Sequence, residues 1–259
     1  MGQLYSQPTL KEIFSLNYML KLESIPSEVR KETSKDKKLP ACIPKPMPMA
    51  WIILGAVGAG KSSMLWSMIN PKTGWFKGYF DKIVVWQSTI DSNSTWEKIP
   101  NCEVINEFDE AFLRGYYNQI QDQQQLLRDK RKRIHNYLFV FDDMITQGIV
   151  SHHRISVIDH IFQTYRHANV SIVICSQMYH QLNKTTRSLN LSALVVLKVN
   201  KKEIEEVAKE HSGLLSEEEF VNMYHKVMEE KRGYLFIDYK AGLRERFRDS
   251  INEVIQLSE

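Results

Sequence analysis

The chain has 259 residues, 34 of them basic and 31 acidic, and the resulting formal charge of +3 is too small to argue for a nucleic-acid partner by itself. Apolar residues make up 43%, enough to bury a real core, so disorder along the whole chain is excluded. No run reaches the roughly eighteen apolar residues of a membrane helix, and the amino terminus lacks the basic-then-apolar build of a secretory signal.

The first six residues, MGQLYS, fit the loose myristoylation pattern Met-Gly-x-x-x-Ser. Residues 1–48 read as a preamble. Leu10, Ile13, Phe14, Met19 and Leu20 suit a short amphipathic helix, and a basic stretch with Pro40, Pro44, Pro46 and Pro48 follows as an extended linker. From residue 49 the pattern changes to that of one α/β domain running to 259. AWIIL (50–54) is a buried-type strand, 55–60 a glycine-rich loop, and 61–70 a helix stopped by Pro71. Strands are expected at 81–88 and, more weakly, at 102–105. A long helix weakened by Gly115 is expected over 107–135, then a strand at 137–141. A helix over 152–165, strands at 170–175 and 193–199, helices at 202–211 and 216–230, and a strand at 233–239 complete the series, with Ala241-Gly242 as a turn. Short apolar strands alternating with helices predict a mostly parallel sheet covered on both faces, whose ligands sit beyond the carboxyl ends of the strands. Cys42, Cys102 and Cys175 show no metal-ligand spacing. They argue against a disulfide framework or a zinc site and for a reducing, intracellular setting.

The chemistry gathers at those strand ends. Gly55-Ala-Val-Gly-Ala-Gly-Lys-Ser62 matches the phosphate-loop pattern GxxxxGK[ST] at every fixed position and lies between a strand and a helix, as the pattern requires. Gly55, Gly58, Ala59 and Gly60 would let backbone N–H groups turn toward phosphates, with the helix amino terminus behind them. Lys61 would reach the β- and γ-phosphates of ATP, the Ser62 hydroxyl would ligate Mg²⁺, and Ser63 closes the loop. Asp142, delivered by the strand YLFVF, is the second candidate for the metal. Asp143 beside it stands where a Glu would polarise the attacking water, although either aspartate could instead cap the next segment. Gln177 ends the strand VSIVIC and could sense the γ-phosphate or orient water. It could equally be an exposed strand end. Arg166 precedes that strand, and its guanidinium suits the charge of a transferring phosphoryl group, acting across a subunit interface because it is far from its own loop in chain order. A helix C-terminal arginine complementing the dipole is the alternative. Arg154, Arg187, Lys198 and Lys201 are weaker candidates for the same task. The basic run Arg128, Lys130, Arg131, Lys132 and Arg133 suits sequence-independent phosphate contact, or a solvated helix end. Lys72 and Lys77 flank Trp75 and Phe76 in another possible contact loop.

The phosphate loop GAVGAGKSS, the strand ending in Asp-Asp, then TYRHANVSIVICSQ and TTRSLNLSALVVLK in that order resemble the HerA–FtsK superfamily of DNA-pumping ATPases. More narrowly, they resemble the poxvirus-type genome-packaging ATPases of large DNA viruses and virophages. The resemblance covers about residues 48–200. It implies a RecA-like (ASCE) P-loop NTPase fold and an ATP-driven double-stranded DNA translocase that packages a viral genome into a preformed capsid. It implies Gly55–Ser63 on the nucleotide, Asp142 on the metal, Asp143 as the water-activating acid, Gln177 as sensor and Arg166 as a finger in trans. It also implies a homo-oligomeric ring of five or six subunits around DNA, with a capsid or portal partner inside the host cell. The family usually carries Glu where this chain has Asp143. A nucleoside or small-molecule kinase on the same loop would need an Arg-rich lid, which is not evident. A GTPase would need an Asp that Asn183-Lys184-Thr185-Thr186 lacks. A nucleotide-bound scaffold without turnover is the remaining alternative.

Overall fold

The structure, a computed structural model, describes residues 39–45, 47–87, 96–144, 156–230 and 232–257. The chain divides into units 1–33 and 34–259, and all described residues belong to the second. The helix and most of the linker expected over 1–48 lie outside them.

The strands are β1 (Ala50–Leu54), β2 (Lys82–Gln87), β3 (Cys102–Ile105), β4 (Tyr137–Asp142), β5 (Val170–Ser176), β6 (Ala193–Val196), β7 (Leu235–Asp238), β8 (Phe247–Asp249) and β9 (Glu253–Val254). They form one sheet in the order β3-β2-β4-β5-β1-β6-β7-β8-β9. The six strands from β3 to β6 pair in parallel, and β7 to β9 extend the sheet antiparallel. This is the expected mostly parallel α/β sheet. The helices are α1 (Lys61–Ile69), α2 (Glu110–Asp129), α3 (Val157–Ala168), α4 (Lys201–His211) and α5 (Glu217–Val227), with a π-helical turn at Thr185–Leu189.

Alternation along each strand feeds two cores. Ala50, Ile52 and Leu54 of β1, with Val84, Trp86, Phe139 and Phe141, face the layer made by α2 to α5. Trp51 and Ile53, with Val85, Leu138, Val140 and Val173, face α1 and the aromatic group Phe76, Tyr79, Phe80 and Trp96. Both faces are covered, so β1, β4 and β5 are buried at every position and read as continuous apolar runs rather than alternating ones.

Several boundaries differ from the sequence reading. The helix expected over 107–135 starts only after Asp109, whose carboxylate accepts the Phe112 N–H (3.0 Å), and stops at Asp129. Arg131 has φ 51°, outside the right-handed region, so the basic run lies mostly past the helix end. The helix expected from 152 starts at Val157, where Ser156 and Asp159 form a reciprocal capping box. β6 is shorter than expected, and β8 and β9 are additional. The proline-rich stretch is not free once it reaches Leu39: Ile43 is buried in the α1-side core and the Ile43 N–H donates to the Pro40 carbonyl (3.1 Å). Buried Ser171 and Ser192 then hold the entry to β1, accepting from the Met49 N–H (3.2 Å) and the Ala50 N–H (2.7 Å). Among the described residues no helix is long and apolar enough to cross a membrane.

Candidate functional site: a phosphate loop facing paired aspartates

The loop after β1 is pinned at its base by the neighbouring strand ends. The Gly55 N–H donates to the Ser176 carbonyl at the end of β5 (3.0 Å), and the Ala56 N–H to the Lys198 carbonyl just past β6 (2.9 Å). Gly58 and Gly60 sit at φ 75° and 96°, which side-chain-bearing residues rarely adopt, so the loop can turn back on itself there. Gly60 is the N-cap of α1 and supplies no side chain to it, and the helix has no acid in its first turn. Its first N–H groups are therefore available to an anion, with the helix dipole favouring negative charge. Lys61 is buried on the loop, its ammonium donating to the Gly55 carbonyl (2.9 Å) and the Ala56 carbonyl (3.2 Å). Ser63, the second residue after Lys61, lines the cavity beside the loop.

The strand order brings the rest of the site together. β5 lies between the loop strand β1 and the aspartate strand β4, with Leu54 opposite Ser176 and Asp142 opposite Cys175. The Ser62 hydroxyl donates to Asp142 Oδ2 (2.7 Å), bridging loop and aspartate strand across β5. Burial raises the Asp142 pKa, and the Ser62 hydrogen bond opposes that rise. A desolvated carboxylate touching a serine hydroxyl is a hard-oxygen pair suited to Mg²⁺, which takes one or two protein oxygens and fills its remaining positions with phosphate and water. Among the described residues no cluster of three or more His, Cys, Asp or Glu could form an all-protein metal cage.

Asp143 is the unusual residue. It has φ 56°, the left-handed region, and its N–H donates to the Cys175 carbonyl (3.2 Å). Its carboxylate accepts a hydrogen bond from the Gln177 amide at the end of the adjoining strand. The two residues expected to handle water are thus hydrogen-bonded to each other beside the loop. The left-handed backbone is strain of the kind that collects at active sites, and no sequence signal announces it.

The structure separates Arg166 from this group. It lies in the last turn of α3, which runs back from the loop edge of the sheet to the opposite, amino edge. Nine steps of helix put it roughly 13 Å from the helix start at Val157. Its Nε donates to the Tyr165 hydroxyl (3.0 Å), and its guanidinium lies 5.4 Å from the Tyr165 ring centroid. Arg166 therefore lies at the edge of the sheet opposite the phosphate loop. Among the alternates, Arg187 is committed to Glu210 (2.8 Å) and stacks over Tyr179, and Lys201 is exposed opposite Glu205 (3.8 Å). Lys198 lines the cavity beside the loop, and Arg154 lies outside the described residues.

The sequence reading missed the other side of the loop. A cavity of about 1050 Å³ adjoins Gly58, Gly60 and Ser63 and is walled by Trp75, Met228 and Tyr234. It has room for a nucleoside attached to phosphates on the loop. Trp75 is part of that wall, whereas Phe76 packs edge-on against Trp51 (6.0 Å) in the core. The α5–β7 turn that closes the cavity is remote in sequence and carries no motif. In the basic run, Arg128 donates to the His167 carbonyl (2.6 Å) and Arg133 chelates Asp81 (2.8 and 2.9 Å). Lys130, Arg131 and Lys132 are exposed.

A phosphate loop, an aspartate two strands away and a polar strand end between them define a P-loop NTPase of the additional-strand class. Residues 42–241 match the Poxvirus A32 protein family. The chain belongs to that family, whose members are genome-packaging ATPases. Among solved structures the fold is similar to that of B204, the DNA-packaging ATPase of Sulfolobus Turreted Icosahedral Virus (TM-score 0.56, 14% identity, 73% of this chain and 92% of that one). It is also similar to B204 of Sulfolobus turreted icosahedral virus 2 in complex with ATP-gammaS (TM-score 0.51, 13% identity, 73% and 91%). A third similar structure is EccC of Thermomonospora curvata, ATPases 2 and 3 with a signal sequence peptide (TM-score 0.52, 12% identity, 74% and 36%). A search of curated protein sequences finds no significant match.

Proposed function

We propose that this ATPase drives double-stranded DNA into a preformed viral capsid, working as a homo-oligomeric ring of five or six subunits inside the infected host cell and contacting the capsid or its portal. The observation that carries the reading is the Ser62–Asp142 bridge beside the Asp143–Gln177 pair, in a chain of a packaging-ATPase family.

In this reading the triphosphate lies on the α1 amino terminus with its nucleoside in the Trp75–Tyr234 cavity. Lys61 leaves the Gly55 and Ala56 carbonyls and takes the β- and γ-phosphate oxygens instead. Mg²⁺ held by Ser62 and, beyond it, Asp142 would neutralise charge on those oxygens. Asp143 accepts the proton of the attacking water while Gln177 fixes the water's direction. The new bond joins that oxygen to the γ-phosphorus, and the bond to the β–γ bridging oxygen breaks to release ADP. Arg166 of a neighbouring copy supplies the positive charge that the chain's own site lacks. The exposed basic residues Lys130 to Lys132 are candidates for DNA phosphate contact.

Steady-state ATP hydrolysis with and without long duplex DNA tests the reading. We expect stimulation by the duplex, and loss of turnover in Lys61→Ala with or without it. Unstimulated hydrolysis, or transfer of phosphate to an added nucleoside, would replace the translocase with a scaffold or a kinase.

A further inference from the structure

We propose that Lys240 is a second cation supplied in trans, reaching the γ-phosphate held by a neighbouring copy alongside Arg166. This rests on the ring reading above and adds a residue to it. Lys240 follows β7, whose end at Asp238 pairs with Ala193 at the start of β6, so the β7–β8 turn lies on the same amino edge as the α3 carboxyl end. Arg166 and Lys240 are both exposed there, in electrostatic reach of each other. Neither makes an ion pair with a carboxylate among the described residues. Of the two acids at the turn, Glu245 lies beyond Leu243, and Asp238 pairs with Arg248 (2.6 Å) while its other oxygen accepts the Lys240 N–H (2.9 Å). Partial burial first, and the Arg166 charge second, lower the Lys240 pKa, and the Asp238 carboxylate opposes them. Arg166 is held at its Nε by the Tyr165 hydroxyl (3.0 Å). An exposed guanidinium beside an exposed ammonium, neither in an ion pair among the described residues, suits a multiply charged oxyanion.

The opposite edge of the sheet supplies that anion. It carries Asp142, Asp143 and the phosphate loop, and its apolar side chains Val57, 81% exposed, and Met178, 42% exposed, flank the site. The amino edge has its own exposed apolar residue beside Lys240, Leu243 at 47%. One edge is anionic when a triphosphate is bound, the other carries Arg166 and Lys240, and both present apolar side chains. Copies stacked head to tail join those two unlike edges, and a head-to-tail contact that closes forms a ring. Lys240 makes and breaks no bond. It balances charge on the γ-phosphate oxygens while water attacks and ADP departs.

The test uses the full chain in DNA-stimulated hydrolysis, with particle mass measured in ATP and duplex. Lys240→Ala is expected to assemble and to bind a fluorescent ATP analogue as wild type does, with kcat lowered about tenfold or more. Lys240→Arg, which keeps the cation, is expected to hold most of the rate. Mixing Lys240→Ala with Lys61→Ala is expected to raise the rate above that of either variant alone, because Lys61→Ala subunits donate an intact Lys240 to their neighbours' nucleotides. Assembled Lys240→Ala turning over at the wild-type rate overturns the proposal, as does failure of the mixture to recover. Loss of assembly in Lys240→Ala overturns it in favour of a packing contact. Weakened duplex binding with an unchanged DNA-independent rate overturns it in favour of a DNA contact. If wild type stays monomeric with ATP and duplex, the ring reading itself falls, which is a different result from an assembled ring indifferent to Lys240.

Discussion

At the scale of single residues, Asp143 is where sequence and structure inform each other most. A shorter acid than the usual Glu raises the question of whether it can reach a water. The left-handed backbone at φ 56° and the hydrogen bond from Gln177 show how the short side chain is positioned. Asn tolerates the left-handed region well, so Asp143→Asn changes the charge without disturbing the turn. General-base removal typically costs 10²- to 10⁴-fold. We expect Asp143→Asn to bind ATP with little change while kcat falls about a hundredfold or more, measured by single-turnover hydrolysis alongside nucleotide binding. Retained turnover would move the base elsewhere. The phosphate loop and Asp142 could be read from the chain because a glycine pattern and a strand-end acid are local signals. The Asp143 backbone could not, since nothing adjacent in sequence dictates a positive φ. Arg166 was legible as a residue and as distant in chain order from its own loop; the antiparallel run of α3 against the strands puts it at the opposite edge of the sheet.

At the scale of elements, the long connection between β5 and β6 is held by buried polar groups rather than by an apolar stripe. Asp159 of α3 accepts from the Ser156 N–H (3.0 Å), Asn183 Nδ2 (2.8 Å) and Thr186 Oγ1 (2.6 Å), which ties the π-helical turn to α3. The Ser156–Asp159 spacing is a capping-box signal that places the helix start at 157, and the apolar periodicity upstream of it misled by several residues. β8 and β9 were not legible at all. Phe-Arg-Asp and Glu-Val are too short and too polar to read as strands; β8 forms on the edge that β7 offers, and β9 on the edge of β8. Tyr179, just past β5, meets α4 through its hydroxyl, which bonds Glu210 (2.9 Å) and the His211 ring. Burial holds the His211 pKa down from 6.5 to about 4, the nearby Glu210 opposing that shift and Arg187 and Arg246 assisting it. The unfolded chain takes up this proton below 6.5 and the folded chain only below about 4. The resulting stability is complete above 6.5 and is lost as pH falls toward 4, on the order of 3 kcal/mol in all. His211→Gln removes the titration while keeping a polar partner for Tyr179. Urea unfolding at several pH values should show the gap between wild type and variant narrowing from pH 7 toward pH 4.5. A constant gap would mean that His211 titrates alike in the folded and unfolded chain.

At the scale of the whole molecule, the sheet works as a two-sided plate whose edges carry different chemistry, and both faces must be covered for the strand ends to stay in register. The α1-side face is covered partly by residues that precede β1. Ile43 and Met49 are fully enclosed there, with Leu39, Cys42 and Met47 packed against the same core. Composition alone marked this stretch as linker, because prolines and basic residues dominate it, and the apolar side chains spread among them show no periodicity. The consequence is a boundary that function depends on. A chain beginning at residue 49 keeps every motif residue yet exposes the face beneath Ile43 and loses the turn that leads into β1. A chain beginning at residue 34 keeps both. Burying one Ile side chain is worth roughly 1.5–3 kcal/mol, and the partly covered neighbours add to it. We therefore expect 49–259 to be less stable than 34–259 by about 3 kcal/mol or more in denaturant unfolding. Nucleotide binding should weaken in parallel, because β1 is the strand that presents the phosphate loop. Equal midpoints for the two chains would show that the segment before β1 contributes nothing to the plate, and the domain would then start at residue 49 as its composition suggests.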